Sequence, residues 1–121
     1  MGYIKKNIFD LKYKISKSEI QYNRPKNSVL LMAVSKTQSL ENIIEAFNAG
    51  QRDFGENYIQ ESIEKISKLK KLDIIWHYIG KIQSNKSKII AENYDWVHSV
   101  DKISTLKKIN NYRCDSKNKI N

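Results

Sequence analysis

Apolar and polar positions along this chain keep two alternating rhythms. Between residues 8 and 22 apolar side chains fall at Ile8, Leu11, Ile15 and Tyr22. That spacing is close to a helical turn and predicts a lead-in helix interrupted by Pro25. The run VLLMAVS, residues 29–35, is continuously apolar, as in a strand buried on both faces. Ser39 is placed to cap the next helix, in which Leu40, Ile43, Ile44 and Phe47 fall at i, i+3, i+4 and i+7. Gly50 suits the left-handed residue beyond that helix.

The same strand-then-helix rhythm recurs. Residues 52–55 predict a second strand, followed by a helix near 57–71 with Glu56, Glu61 and Glu64 early and Lys65, Lys68, Lys70 and Lys71 late, an order that suits the helix dipole. Residues 74–79 (IIWHYI) predict a third strand, ending at Gly80, and a helix near 84–93. Residues 95–100 (DWVHSV) predict a fourth, leading into a helix capped by Asp101. Four βα units predict a parallel sheet with helices packed on it, all within one domain over residues 1–121: 1–28 a lead-in helix and linker, 29–121 the βα units.

Composition narrows the classes. The 121 residues are 40% hydrophobic and 29% charged, with a net charge of +9, so the chain can bury a core. The charge sits at the ends: residues 1–28 and 102–121 carry +5 each, whereas residues 29–101 carry −1. A nucleic-acid binder usually carries its basic stripe on the folded core, so nucleic-acid binding is not expected. No apolar run is long enough for a membrane span, and the first residues lack an apolar signal core. One cysteine, Cys114, and two histidines, His77 and His98, give neither an internal disulfide nor zinc-site spacing. A cytoplasmic setting is expected.

In parallel α/β folds reactive groups collect beyond the carboxyl ends of the strands. Those places hold Ser35-Lys36-Thr37, Glu56-Asn57, Gly80 with Gln83 to Lys86, and His98, Ser99 and Asp101. Lys36 directly follows an uncharged run. Its position alone leaves two readings open, a lysine reaching solvent from a strand end and an amine tuned for attack on a carbonyl. Gly55 and Gly80 could admit close backbone approach or make ordinary turns. His77, between Trp76 and Tyr78, fits a satisfied core histidine, and His98 either pairs with Asp101 or caps. Trp76, Tyr78 and Trp96 fit packing. GxGxxG, P-loop, HExxH and GxSxG patterns are absent.

Four strings in order, AVSKT (33–37), AGQRDFGENYIQE (49–61), WHYIGKIQSNK (76–86) and DWVHSVD (95–101), resemble the pyridoxal phosphate homeostasis protein family. The likeness runs from about residue 8 onward. That family is similar to the barrel domain of bacterial alanine racemases, a (β/α)₈ barrel holding pyridoxal 5′-phosphate (PLP) as an imine with a lysine at the end of the first strand. The resemblance makes Lys36 that lysine and places Asn57 near the cofactor. It implies a non-catalytic PLP carrier or regulator, with PLP-dependent apoenzymes as possible recipients. The alternatives are an amino-acid racemase-like enzyme and a degenerate remnant without PLP. A (β/α)₈ barrel needs about 250 residues, so four units predict a half barrel, a truncated form without the family's phosphate-binding loops. Its exposed sheet edges predict self-association.

Overall fold

The computed structural model describes residues 2–113 and 117–121; Cys114 lies outside the described residues. The elements follow the order α1 (Tyr3–Gln21), β1 (Ala33–Val34), α2 (Leu40–Asn48), β2 (Asp53–Glu56), α3 (Ile59–Lys68), β3 (Ile75–Tyr78), a 3₁₀ turn (Ser84–Lys86), α4 (Ser87–Asn93), β4 (Trp96–Val97) and α5 (Ile103–Tyr112). The four strands form one parallel sheet in the order β1-β2-β3-β4. The chain is therefore α/β, with each strand followed by a helix, as the alternating rhythms predict. No helix among the described residues is long and apolar enough to cross a membrane.

Local chemistry explains most boundaries. Ser39 caps α2, its hydroxyl accepting from the Asn42 N–H at 3.1 Å. Gly50 takes φ +99° after that helix, a conformation a Cβ would oppose. The lead-in helix starts at Tyr3, five residues earlier than its apolar spacing implies, and buries only one apolar side chain, Ile8. Its last turn is useful differently. The buried Glu19 accepts from the Asn27 and Val29 N–H groups at 3.2 and 2.9 Å, and the Val29 bond, ahead of the others, holds its carboxyl below the usual range. Glu19 thereby ties the linker to α1.

Two expectations are corrected. The run 29–35 is not a strand buried on both faces. Only Ala33–Val34 pair in the ladder, and Val29, Leu30 and Val34 are exposed, because residues 29 and 30 lie outside the strand and Val34 lies on the face that no helix covers. The buried Gln51 keeps the segment close, donating to the Leu31 and Asp53 carbonyls at 2.7 and 2.8 Å. Asp101 does not cap α5. The helix begins one residue later, with Lys102 at the cap and no side-chain bond there, so Asp101 stands one position too far out.

Register assigns the two faces of the sheet. Ala33, Phe54 and Trp76 share one row and Glu56, Tyr78 and Val97 another, both on the face covered by helices, where Phe54, Trp76 and Tyr78 join Ile43, Ala46, Ile90, Ala91, Tyr94 and Ile109 in the core. The row between them, Val34, Gly55, His77 and Trp96, points to the opposite face. That face is open: Val34 and Trp96 are exposed.

Candidate functional site

Lys36 stands just beyond the end of β1. Ser35 is buried, its hydroxyl bonded to Glu56; Lys36, the next residue, is exposed in the turn that follows. Among the described residues its amine has no hydrogen-bond or ion-pair partner. The Ser35 N–H donates to the Gly55 carbonyl at 3.0 Å, the bond that closes the Val34–Gly55 pair, and the ladder ends there. The Gln38 N–H bonds the Ser35 carbonyl at 3.1 Å, so Lys36 and Thr37 form the turn after β1, while Asn57 directly follows the neighbouring β2.

Asn57 carries the clearest anomaly near Lys36. Its Oδ1 is buried with no hydrogen-bond partner, a state that costs about 1–3 kcal/mol unless something donates to it. Gly80 fixes the backbone behind it. A Cβ at Gly80 would overlap the Asn57 carbonyl oxygen and come within 2.8 Å of the Tyr78 hydroxyl, so only glycine lets these two strand ends approach. The Tyr78 hydroxyl in turn donates to the Lys81 carbonyl at 2.7 Å, and burial raises its pKa.

A polar chain crosses the open face from β2 to the end of β4. The Asp53 carboxylate accepts from His77 Nε2 at 2.7 Å, and His77 Nδ1 lies 3.0 Å from His98 Nε2. Asp53 as acceptor assigns the proton to His77 Nε2, leaves Nδ1 as an acceptor, and makes His98 Nε2–H the donor. The Trp96 ring stacks on His77 and His98 with centroids 5.3 and 6.0 Å away. Burial, with the neighbouring His77 second, pushes His98 below its ordinary value. His77 is thus the satisfied core histidine its surroundings suggest, while His98 pairs with His77 and not with Asp101. Among the described residues no group of three or more His, Cys, Asp or Glu side chains could hold a metal ion.

Sequence reasoning places Lys36 and Asn57 on one rim, and in the structure they follow two neighbouring strands. It missed what surrounds them. Lys65, read as a dipole-matching lysine late in α3, is buried against Glu56 and Glu61. The i,i+4 spacing of Glu61 and Lys65 is the signal that could have found that pair. The Asp53–His77–His98 chain depends on cross-strand register, which no local pattern carries.

No family model matches the chain. Curated relatives do: the pyridoxal phosphate homeostasis protein of Buchnera aphidicola is 48% identical over 113 residues, covering 88% of this chain and 49% of that protein. The Escherichia coli K12 protein of the same name is 40% identical over 116 residues, covering 93% of this chain and 50% of its own. Among solved structures, PipY of Synechococcus elongatus with PLP bound superposes with a TM-score of 0.68 at 42% identity, covering 80% of this chain and 46% of PipY. An unknown protein from Bifidobacterium adolescentis superposes with a TM-score of 0.77 at 30% identity, covering 89% and 48%. The chain spans about half the length of the curated relatives it matches. Over the span it shares with them, the chain is similar to proteins named for pyridoxal phosphate homeostasis.

Proposed function

We propose that this chain holds PLP on Lys36 and serves PLP homeostasis as a non-catalytic carrier or regulator in the cytoplasm. The observation that carries the reading lies at the first two strand ends: an unpartnered primary amine just beyond β1 and, just beyond the neighbouring β2, a buried amide oxygen that lacks a donor. These groups fit the cofactor, which supplies an aldehyde for the amine and polar substituents for the amide. Lys36 would hold the cofactor through its amine, which must give up a proton to solvent to act as a nucleophile, and the aldehyde would supply the electrophilic carbon for reversible imine chemistry that releases water. Asn57 would offer its free Oδ1 to a donor on the ligand. The relatives named for PLP homeostasis and PipY with its bound PLP support the same reading.

In this proposal residues 1–121 act as one domain, the N-terminal half of a (β/α)₈ barrel. Its open face and the outer edge of β1 take up a second copy or the complementary half, the outer edge of β4 being bonded already by Asn121, and the bound PLP passes to apoenzymes. The test is chemical. PLP is added to the chain, trapped with borohydride, and the modified peptides are mapped. Label concentrated at Lys36, and lost in Lys36→Ala, is the expected result. Label spread evenly over the nineteen lysines would overturn the reading.

A further inference from the structure

We propose that Glu61 and Lys65 of α3 are positioning residues for Lys36, gripping the backbone on both sides of it and so fixing the turn from which its amine projects. The inference rests on the reading of Lys36 as the PLP-bearing amine, and it starts from the neighbours of Lys36. On the N-terminal side, Lys65 Nζ donates to the Ser35 carbonyl at 2.7 Å, and the Ser35 hydroxyl donates to Glu56 Oε2. On the C-terminal side, the Thr37 N–H donates to Glu61 Oε1 at 2.5 Å. The two grips are joined, because Lys65 also donates to Glu56 at 2.9 Å and to the same Glu61 oxygen at 2.7 Å. All three protons of one ammonium are therefore committed to this strand end.

Energetics argue that the network does more than hold the fold together. The Lys65 side chain is 7% exposed and Glu56 is fully buried, and one Glu56 oxygen has no partner. A buried ionic cluster of this kind is commonly no more stable than apolar side chains of the same volume, which can exceed it by about 1–4 kcal/mol. Stability alone does not call for it. What it supplies is a fixed backbone path. Thr37 sits at φ +61°, a left-handed conformation that costs a β-branched residue about 1–3 kcal/mol, and the bond from its N–H to Glu61 holds it there. The turn so formed, Lys36 and Thr37, follows β1, with Ser35 buried and the lysine exposed. Among the described residues no hydrogen bond or ion pair holds the Lys36 amine itself, so the flanking backbone is what orients it.

Glu61 is the residue to test, because its side chain is 31% exposed and its loss leaves no cavity. Glu61→Ala removes the acceptor for the Thr37 N–H; Glu61→Gln keeps an oxygen there and removes the charge. Hydrogen exchange at the Thr37 amide, measured without cofactor, is expected to quicken by about tenfold or more in Glu61→Ala and to stay near the original rate in Glu61→Gln. Borohydride trapping is expected to show the preference of PLP for Lys36 over the other lysines falling about tenfold in Glu61→Ala, and recovering in Glu61→Gln. A general structural weakening would lower both variants' melting temperatures without that split. Glu56→Gln/Lys65→Met, which removes the buried charges together, is expected to fold and to lose the Lys36 preference. Unchanged exchange and unchanged preference in Glu61→Ala would overturn the positioning role. Even labelling in the unsubstituted chain would instead overturn the cofactor reading, while Thr37 exchange still passes or fails the grip.

Discussion

The two faces of one sheet follow opposite rules. On the covered face Phe54, Trp76 and Tyr78 are 1%, 5% and 3% exposed and meet the apolar sides of α2 and α4. On the open face the same strands present Val34, His77 and Trp96, and what order exists there comes from hydrogen bonds and ring stacking. Burial of apolar area scales with the surface removed from water, so the covered face carries the fold. The open face is left free to hold a histidine chain, and the strand ends an amine and an unpaired amide oxygen. Chemistry sits where packing has made the fewest demands.

Breaking the covered face has the largest expected effect. Phe54 is 1% exposed, with its ring 6.0 Å from that of Trp76. Phe54→Ala is expected to destabilise the chain by about 3–5 kcal/mol, the transfer term plus the cavity it leaves. Denaturant unfolding followed by circular dichroism measures it. A loss under about 1 kcal/mol would mean that this face is not the core it forms here.

How much of this was legible in the sequence follows the same division. The order of strands and helices was readable because apolar periodicity, the Ser39 cap and the left-handed Gly50 are local signals, and Ser39 and Gly50 act as their positions suggest. Exposure of Val29 and Leu30 was not readable, since an apolar run does not say which of its residues pair in a ladder. Lys36 and Asn57 could be placed at strand ends, but the pairing of His77 with His98 needs cross-strand register. Lys65 misled for a related reason. A lysine late in a helix is ordinarily solvated, and only the approach of α3 to the end of β1 turns it into a buried donor.

The histidine chain allows a test of intermediate size. Burial and His77 hold the folded His98 below its ordinary 6.5, where it titrates once the chain unfolds. Between those two values the unfolded state binds more protons, so stability from this group is complete above 6.5 and is lost as pH falls toward the folded value. The groups facing the pair are Asp53 on β2 and the Trp96 ring on β4. Urea midpoints measured from about pH 7.5 to 5 are expected to drop with a slope below the roughly 1.4 kcal/mol per pH unit of one full proton, since His98 is partly exposed. His98→Gln is expected to flatten that part of the curve. An unchanged slope in the variant would move the effect to other groups.

The smallest expected effect sharpens the contrast most, because it concerns an apolar residue on the face said to need none. Val34 is 48% exposed, so replacing it with serine removes little buried area, and Val34→Ser is expected to change stability by less than about 0.5 kcal/mol. Ile43, 1% exposed beneath the covered face, serves as the control: Ile43→Ser, which strands a hydroxyl in the core, is expected to cost several times more. Should Val34→Ser instead cost more than about 1 kcal/mol, Val34 must be covered in solution, and the dependence of that cost on protein concentration identifies the cover. A cost that grows with concentration places a second copy over the open face. A cost independent of concentration means that the chain folds its own segments across it, and the division between a packed face and a chemical face fails.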